Sequence, residues 1–198
     1  MLPSRPYPTS RGQLRTYSLV PYYPYKCQGE KNPRFNKNSG RILSVKDHTD
    51  RGHALAVKYF SDLLVDEAKA WQLPPKSPFS GPQVGIVIVP SSTVGKTAIG
   101  LQSIATRLCQ VDDRFQLLRG VLTRTQSIPK AATGGPRSIE IHKNTITCDP
   151  GLLETRIVML VDDVISTGSS MVACCELIQN ADPQTNVFGL ALGHTTHD

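Results

Sequence analysis

An apolar run at residues 157–161 ends abruptly in two adjacent carboxylates, Asp162 and Asp163. An uninterrupted apolar run of this length is typical of a strand buried on both faces of a parallel sheet. Four hydroxyl-bearing residues and one glycine follow at 166–170, and a helical pattern extends from about 169 to 180. This order of strand, acidic pair, small polar turn and helix favours folds that bind ligands where strands turn into helices.

The turn at residues 166–170 has the chemistry of a phosphate site. Its small residues let backbone amides approach an anion, its hydroxyls add donors, and a helix N-terminus is electropositive. The adjacent carboxylates can accept hydrogen bonds from vicinal hydroxyls or bind a hydrated Mg²⁺. A phosphate next to a diol describes a ribose 5-phosphate. The alternative is that the turn only caps the helix and that the acidic pair is exposed.

The rest of the chain from about residue 50 repeats this alternation of strands and helices. It predicts an α/β fold with a mostly parallel sheet of about five strands and helices on both faces. The turns at 90–96 and 162–170 should then line one crevice, because the carboxyl ends of parallel strands share one edge. The remaining predicted elements are helices at 51–71 and 97–109 and strands at 84–89, 115–118 and 187–192.

Residues 1–49 differ from the remainder in composition and charge. Residues 1–40 are rich in Pro, Tyr, Asn and Gly, which predicts irregular structure with at most short strands around 14–20. Residues 1–60 hold 11 Lys and Arg against 3 Asp and Glu, so all the excess positive charge is N-terminal. We therefore divide the chain into a basic N-terminal extension or hood, 1–49, and a core, 50–198. Nucleic-acid binding through the extension is not favoured, since no known module is present.

A polar stretch at 119–146 contains Gly134, Gly135 and Pro136 and few apolar residues. It predicts a long mobile loop, with a hairpin as the alternative.

Composition excludes several classes of protein. No apolar run approaches the ~20 residues of a membrane span, and the first residues lack the apolar stretch of a secretory signal, so we expect a cytoplasmic protein. The five cysteines are expected to be free, with Cys174 and Cys175 as core residues of a helix. His194 and His197 are a weak metal signal beyond the last predicted strand.

The segment VMLVDDVISTGSSM at 158–171 resembles the phosphoribosyl pyrophosphate (PRPP) motif of type I phosphoribosyltransferases. The order of elements over about 50–193 is similar to that family's Rossmann-like core. ComF-like members look nearest, because Leu117-Leu118-Arg119, then Thr125-Gln126-Ser127 and a downstream Arg137 echo their flexible loop.

The resemblance implies a site and a reaction. Asp162 and Asp163 would contact the ribose hydroxyls, and the 5-phosphate would be held by Ser166, Thr167, Gly168, Ser169 and Ser170. Pyrophosphate would be bound by Ser91, Ser92, Thr93 and Val94 together with Lys96, and the flexible loop would bring Arg124, Lys130, Arg137 or Lys143. The expected reaction of nucleotide metabolism is displacement of pyrophosphate from C1 of PRPP by a nitrogen nucleophile. Mg²⁺ would be bound through PRPP, with no direct protein ligand.

Two departures limit what the resemblance implies about the acceptor. Enzymes that act on 6-oxopurines carry Asp where this chain has Ser166, which disfavours that substrate class. ComF-like proteins usually carry an N-terminal zinc-binding cysteine cluster, and here only Cys27 stands in that region. The acceptor is therefore unidentified, and a homodimer is left open.

Two alternative functions remain from the sequence alone. One is a PRPP- or nucleotide-sensing module without catalysis that binds nucleic acid or a protein. The other is a P-loop NTPase, because residues 90–97 resemble a Walker A loop with Lys96 and Thr97 at its end. Against the second, Pro90 replaces the first glycine of that loop and lacks an N–H.

Overall fold

The computed structural model describes residues 2–3, 6–71, 83–129 and 138–196. The strands of its first half are β1 (Leu2–Pro3), β2 (Tyr7–Thr9), β3 (Gly12–Leu14), β4 (Thr16–Tyr22), β5 (Lys26–Cys27), β6 (Glu30–Lys31) and β7 (Val84–Ile88). Those of its second half are β8 (Phe115–Leu117), β9 (Leu122–Arg124), β10 (Ile146–Cys148), β11 (Ile157–Ile165) and β12 (Asn186–Thr195). The α-helices are α1 (Lys37–Lys46), α2 (His53–Lys69), α3 (Ile99–Val111), α4 (Ile139–Lys143) and α5 (Ser169–Ala181).

One six-stranded sheet organises the described part of the chain, in the order β1-β4-β12-β11-β7-β8. Strands β4, β12, β11, β7 and β8 are parallel to their neighbours, and only β1 is antiparallel. The predicted α/β fold, a central five-stranded parallel sheet with helices on both faces, is confirmed. The apolar runs of β7 and β11 are uninterrupted because both of their faces are covered.

Two apolar clusters cover the two faces of the sheet. Helices α1, α2 and α3 pack on one face, where Phe60, Ile104 and Met159 are fully buried. Helix α5 packs on the other face against Leu160. Cys174 and Cys175 are buried in α5, and all five thiols are free, as predicted. No helix within the described residues is long and apolar enough to cross a bilayer.

The N-terminal region is more regular than predicted. Strand β4 has seven residues and joins the central sheet beside β12, and α1 is a ten-residue helix that was not predicted. The strand was underestimated because its inward positions include the small polar residues Thr16 and Ser18, which hide the period-two pattern. Helix α1 begins where the Asn36 side chain accepts a hydrogen bond from the Ser39 amide.

The prediction of an irregular loop over 119–146 is also partly wrong. Strands β9 and β10 pair antiparallel, with Arg124 opposite Ile146, and the short helix α4 lies between them in sequence. Val121, Leu122 and Ile146 give this pair an apolar side that packs into the α5 cluster. The hairpin alternative is therefore closer to the structure, whereas residues 130–137 lie outside the described residues.

Candidate active site

Strands β7 and β11 bring the two predicted ligand-binding turns together. Ile88 pairs with Val161 in the parallel register, and the Val89 amide donates a hydrogen bond to the Val161 carbonyl at 2.9 Å. The turn that begins at Pro90 and the carboxylates that follow Val161 therefore start side by side. The two turns therefore leave the same edge of the sheet, and the crevice between them stays a prediction.

Asp162 and Asp163 lie in the last part of β11 and have different partners. The Asp162 carboxylate accepts a hydrogen bond from the Asp163 amide at 2.8 Å and faces the Ser170 hydroxyl at 3.5 Å. The Asp163 carboxylate forms an ion pair with Lys46 of α1, with Nζ 2.9 Å from Oδ1. One carboxylate thus points towards the start of α5 and the other towards α1.

The two acids have unlike electrostatic surroundings. Burial, followed by the negative charge of Asp163, raises the pKa of Asp162 to about 7, although Lys46, the Asp163 amide and Ser170 act in the opposite direction. Burial tends to lower the pKa of Lys46, but the neighbouring Asp163 outweighs it and the pKa is raised. Near neutral pH the Asp162 carboxyl is therefore close to its titration point, while the Asp163 carboxylate is the partner of Lys46.

The turn at 166–170 leads directly into the N-terminus of α5. Gly168 is the N-cap of α5 and has a φ of +78°, a left-handed conformation that favours glycine. Gly168 has no side chain to cap the first amides of the helix, so no side-chain hydrogen bond from the N-cap occupies them. The Thr167 hydroxyl is exposed and lies 3.1 Å from the Ser169 hydroxyl. The turn thus combines a helix N-terminus with hydroxyl donors.

An aromatic side chain from the N-terminal hairpin packs on this turn, which the sequence did not predict. A Cβ atom built on Gly168 would lie only 2.5 Å from Cε1 of Tyr7, so the ring sits directly against the glycine. The Tyr7 hydroxyl is 3.5 Å from Nε2 of His194. Strand β12 reaches Thr195, so His194 belongs to a strand of the sheet and not to an irregular tail; His197 lies outside the described residues.

The turn after β7, residues 91–96, is the predicted pyrophosphate loop. Ser91 and Ser92 are half-buried, while Thr93, Val94 and Lys96 are exposed. The amide of Val94 donates to the Ser127 hydroxyl at 2.9 Å, and the amide of Ile128 donates to the Ser92 carbonyl at 2.8 Å. The segment after β9 therefore holds this loop, and the Val94 amide, predicted to bind pyrophosphate, is engaged within the protein.

The four cations that were assigned to the flexible loop lie in different parts of the chain. Arg124 is only 5% exposed and belongs to β9, so its assignment to a mobile loop is wrong. Lys143 ends α4 and pairs with Glu176 of α5 at 3.1 Å, which raises the pKa of Lys143. Lys130 and Arg137 lie outside the described residues.

Lys46 and Tyr7 are the site residues that sequence reasoning missed. Both lie in residues 1–49, the N-terminal extension, to which the sequence assigned no site residue. Gly193 lets α1 pack close to β12 near the site, because it has no side chain. A Cβ at this position would lie 2.6 Å from Cδ1 of Ile42 and 2.8 Å from Cβ of Tyr22. The available signal for α1 was Asn36 ahead of Ile42 and Val45, a capping residue followed by apolar residues at helical spacing.

In the described residues, no group of three or more His, Cys, Asp or Glu side chains is placed to hold a metal ion.

Comparison with known proteins agrees with this geometry over part of the chain. A search of curated proteins gives no match to the chain. Residues 102–194, which include the acidic pair and the turn before α5, match the family model described as the phosphoribosyl transferase domain, and this match supports phosphoribosyl transfer as the general class of activity.

Proposed function

We propose that this protein binds PRPP with Mg²⁺ and transfers its phosphoribosyl group to a nitrogen acceptor, releasing pyrophosphate. The supporting observation is that Asp162 and Asp163 lie in the last part of β11, shortly before Gly168. Gly168 is the N-cap of α5 and has a left-handed backbone conformation. The loop at 91–96 leaves the neighbouring strand at the same edge. This arrangement offers separate sites for a diol, a monophosphate and a pyrophosphate.

Each part of PRPP has a site of matching chemistry in the proposal. The 5-phosphate binds at 166–170, where the helix N-terminus and the hydroxyls supply donors. The ribose hydroxyls donate to Asp162 and Asp163, so Asp163 exchanges some of its contact with Lys46 for the ligand. The pyrophosphate binds at 91–96, where Lys96 is exposed.

The reaction needs positioning and charge stabilisation more than covalent catalysis. As the bond from C1 to pyrophosphate breaks, positive charge develops on the ribose ring and negative charge on the leaving group. Asp162 and Asp163 hold the ring in place through its hydroxyls, and Lys96 stabilises the departing pyrophosphate. Asp162 and Asp163 would hold Mg²⁺ through water, and the ion would supply further charge neutralisation.

In this proposal the acceptor is selected by residues 1–49, by the residues after Gly193, or by both. Ser166 supplies no carboxylate for a purine N7, so a 6-oxopurine is disfavoured as acceptor. The similarity of the segment around Thr125-Gln126-Ser127 to ComF-like proteins supports placing the chain nearest to those members of the type I phosphoribosyltransferases.

Turnover tests the proposal directly. The protein is incubated with PRPP and Mg²⁺ across a panel of nitrogen bases, and released pyrophosphate is measured. A variant with Asp162→Asn and Asp163→Asn should lose PRPP binding and release, whereas Asp62→Asn together with Asp66→Asn, on the exposed side of α2, should behave as wild type. Unchanged PRPP affinity in the first variant would overturn the assignment. Tight PRPP binding without release by the wild type would instead indicate a sensing module.

A further inference from the structure

The Arg124 side chain packs against the start of the loop at 91–96 and forms hydrogen bonds with its backbone. Its Nε donates to the Ser91 carbonyl at 2.9 Å, and its Nη2 lies 3.5 Å from the Pro90 carbonyl. The side chain approaches from β9, which is not part of the central sheet. Arg124 thus engages two consecutive carbonyls at the point where β7 turns into the loop.

The guanidinium is held on its other side by two residues at the end of α4. Nη1 donates to the Thr145 hydroxyl at 2.6 Å, and Nη2 lies 3.3 Å from Nδ1 of His142. The Thr145 hydroxyl in turn donates to the Ile141 carbonyl. Burial, followed by the charge of Arg124, lowers the pKa of His142, which favours the neutral ring that accepts a hydrogen bond. The arginine is therefore fixed in one orientation.

The charge of Arg124 is buried without a carboxylate in contact within the described part of the chain. A second arginine shows the usual arrangement. Arg114 also donates to two carbonyls, those of Ala68 and Trp71, but it forms an ion pair with Asp112 at 2.6 Å. Burying a cation against neutral acceptors alone is costly, so a structure that does so gains if an anion binds nearby.

We propose that Arg124 is a positioning residue of the pyrophosphate site. It draws the Pro90 and Ser91 carbonyls inward, which leaves the opposite side of the loop for a bound anion, and its buried positive charge favours that anion. Ser127 and Ile128, which follow it in the chain, hold Val94 and Ser92 of the same loop. This inference rests on the proposed function, because it assigns pyrophosphate to that loop.

The test compares two ligands on three variants of the full chain. Binding of inorganic pyrophosphate and of ribose 5-phosphate, each with Mg²⁺, is measured by calorimetry for Arg124→Gln, Arg124→Lys and the control Arg114→Gln. Arg124→Gln should weaken pyrophosphate binding about tenfold or more and leave ribose 5-phosphate binding unchanged. Arg124→Lys, which keeps the charge but not the fork of donors, should restore part of the loss. Arg114→Gln should change neither affinity.

Several outcomes would overturn the inference. Equal pyrophosphate affinity in wild type and Arg124→Gln would overturn it while leaving the proposed function standing. An equal loss of both ligands would show that Arg124 only supports the fold. If the Arg124 variants do not fold, Thr145→Val removes one acceptor of the guanidinium and should still weaken pyrophosphate binding selectively. Failure of the wild type to bind pyrophosphate or PRPP would overturn the inference and the proposed function together.

Discussion

Nζ of Lys46 lies 2.9 Å from Oδ1 of Asp163, so a helix from the N-terminal part of the chain supplies the counter-ion of the candidate ribose site. The lysine side chain is 45% exposed and the aspartate side chain 24% exposed. At this exposure the ion pair adds little to stability, since water and salt screen it. Its effect is local, because it sets the balance of charge around Asp162 and Asp163.

Replacing Lys46 should shift the pH dependence of ligand binding. Lys46 lowers the pKa of Asp162, so Lys46→Met should raise that pKa and move the midpoint of PRPP binding upward by a fraction of a pH unit. Lys46→Arg should keep the wild-type midpoint. PRPP binding is measured by calorimetry at pH values from about 5.5 to about 8.5, a range of about three units around the pKa of Asp162. Lys58→Met, which breaks an exposed pair with Asp62, is the matched control. A midpoint that is the same in Lys46→Met and wild type would contradict the prediction.

Ionisation of the buried Asp162 carboxyl should lower the free energy of unfolding as the pH rises to neutral. Its pKa is raised to about 7, so the folded protein binds more protons than the unfolded chain between the ordinary Asp pKa and about 7. Stability from this group is therefore highest at low pH and falls as the pH rises through that window. Asp162→Asn should be more stable than wild type at pH 8, by about 1 kcal/mol or more, and show no such advantage at pH 4. Denaturant unfolding at the two pH values checks this, and an equal difference at both would refute it.

The two phosphate sites should respond to different substitutions. Thr167→Val removes a hydroxyl donor at the start of α5 and should weaken ribose 5-phosphate binding several-fold. Lys96→Ala should weaken PRPP and pyrophosphate but spare ribose 5-phosphate. Binding of the three ligands by calorimetry separates these effects. Mg²⁺-dependent ATP hydrolysis that disappears in Lys96→Ala would instead favour the P-loop NTPase alternative.

Tyr7 and Gly168 should be energetically coupled. Gly168→Ala places a Cβ against the Tyr7 ring in a left-handed backbone, and it should destabilise the protein by about 1–3 kcal/mol. In a Tyr7→Ala background the steric part of this cost disappears and only the backbone strain remains. Urea unfolding of the two single variants and the double variant measures the coupling. Additive free energies of unfolding would show that the ring does not contact the glycine in solution.

The sequence predicted the parts of the fold whose residues carry strong periodicity or a specific motif. Helix α2 and the strands β7 and β11 were placed within a few residues, because apolar patterns define all three and prolines flank α2 and β7. The turn at 166–170 was recognisable because strand, acids, glycine and helix follow one another without a gap. Local sequence was enough in these cases.

The remainder depended on tertiary contacts that local patterns do not encode. Thr16 and Ser18 are polar in sequence yet buried in β4, and Arg124 is a cation that is buried against the 90–91 backbone. Lys46 and Tyr7 reach the site from elements more than a hundred residues away in the chain. No spacing rule connects such residues to Asp163 or His194, so the sequence could not assign them.

The parallel pairing of β4 with β12 has a consequence for how the protein is made. Residues 16–22 leave the ribosome early, but their partner strand, 186–195, is synthesised last of the elements in the sheet. Until then β4 lacks that neighbour and β11 lacks β12, so unpaired strand edges rich in apolar side chains are exposed to other chains. Contacts this distant in sequence also slow folding. Expression at low temperature or with chaperones should therefore raise the soluble yield more than any single surface substitution.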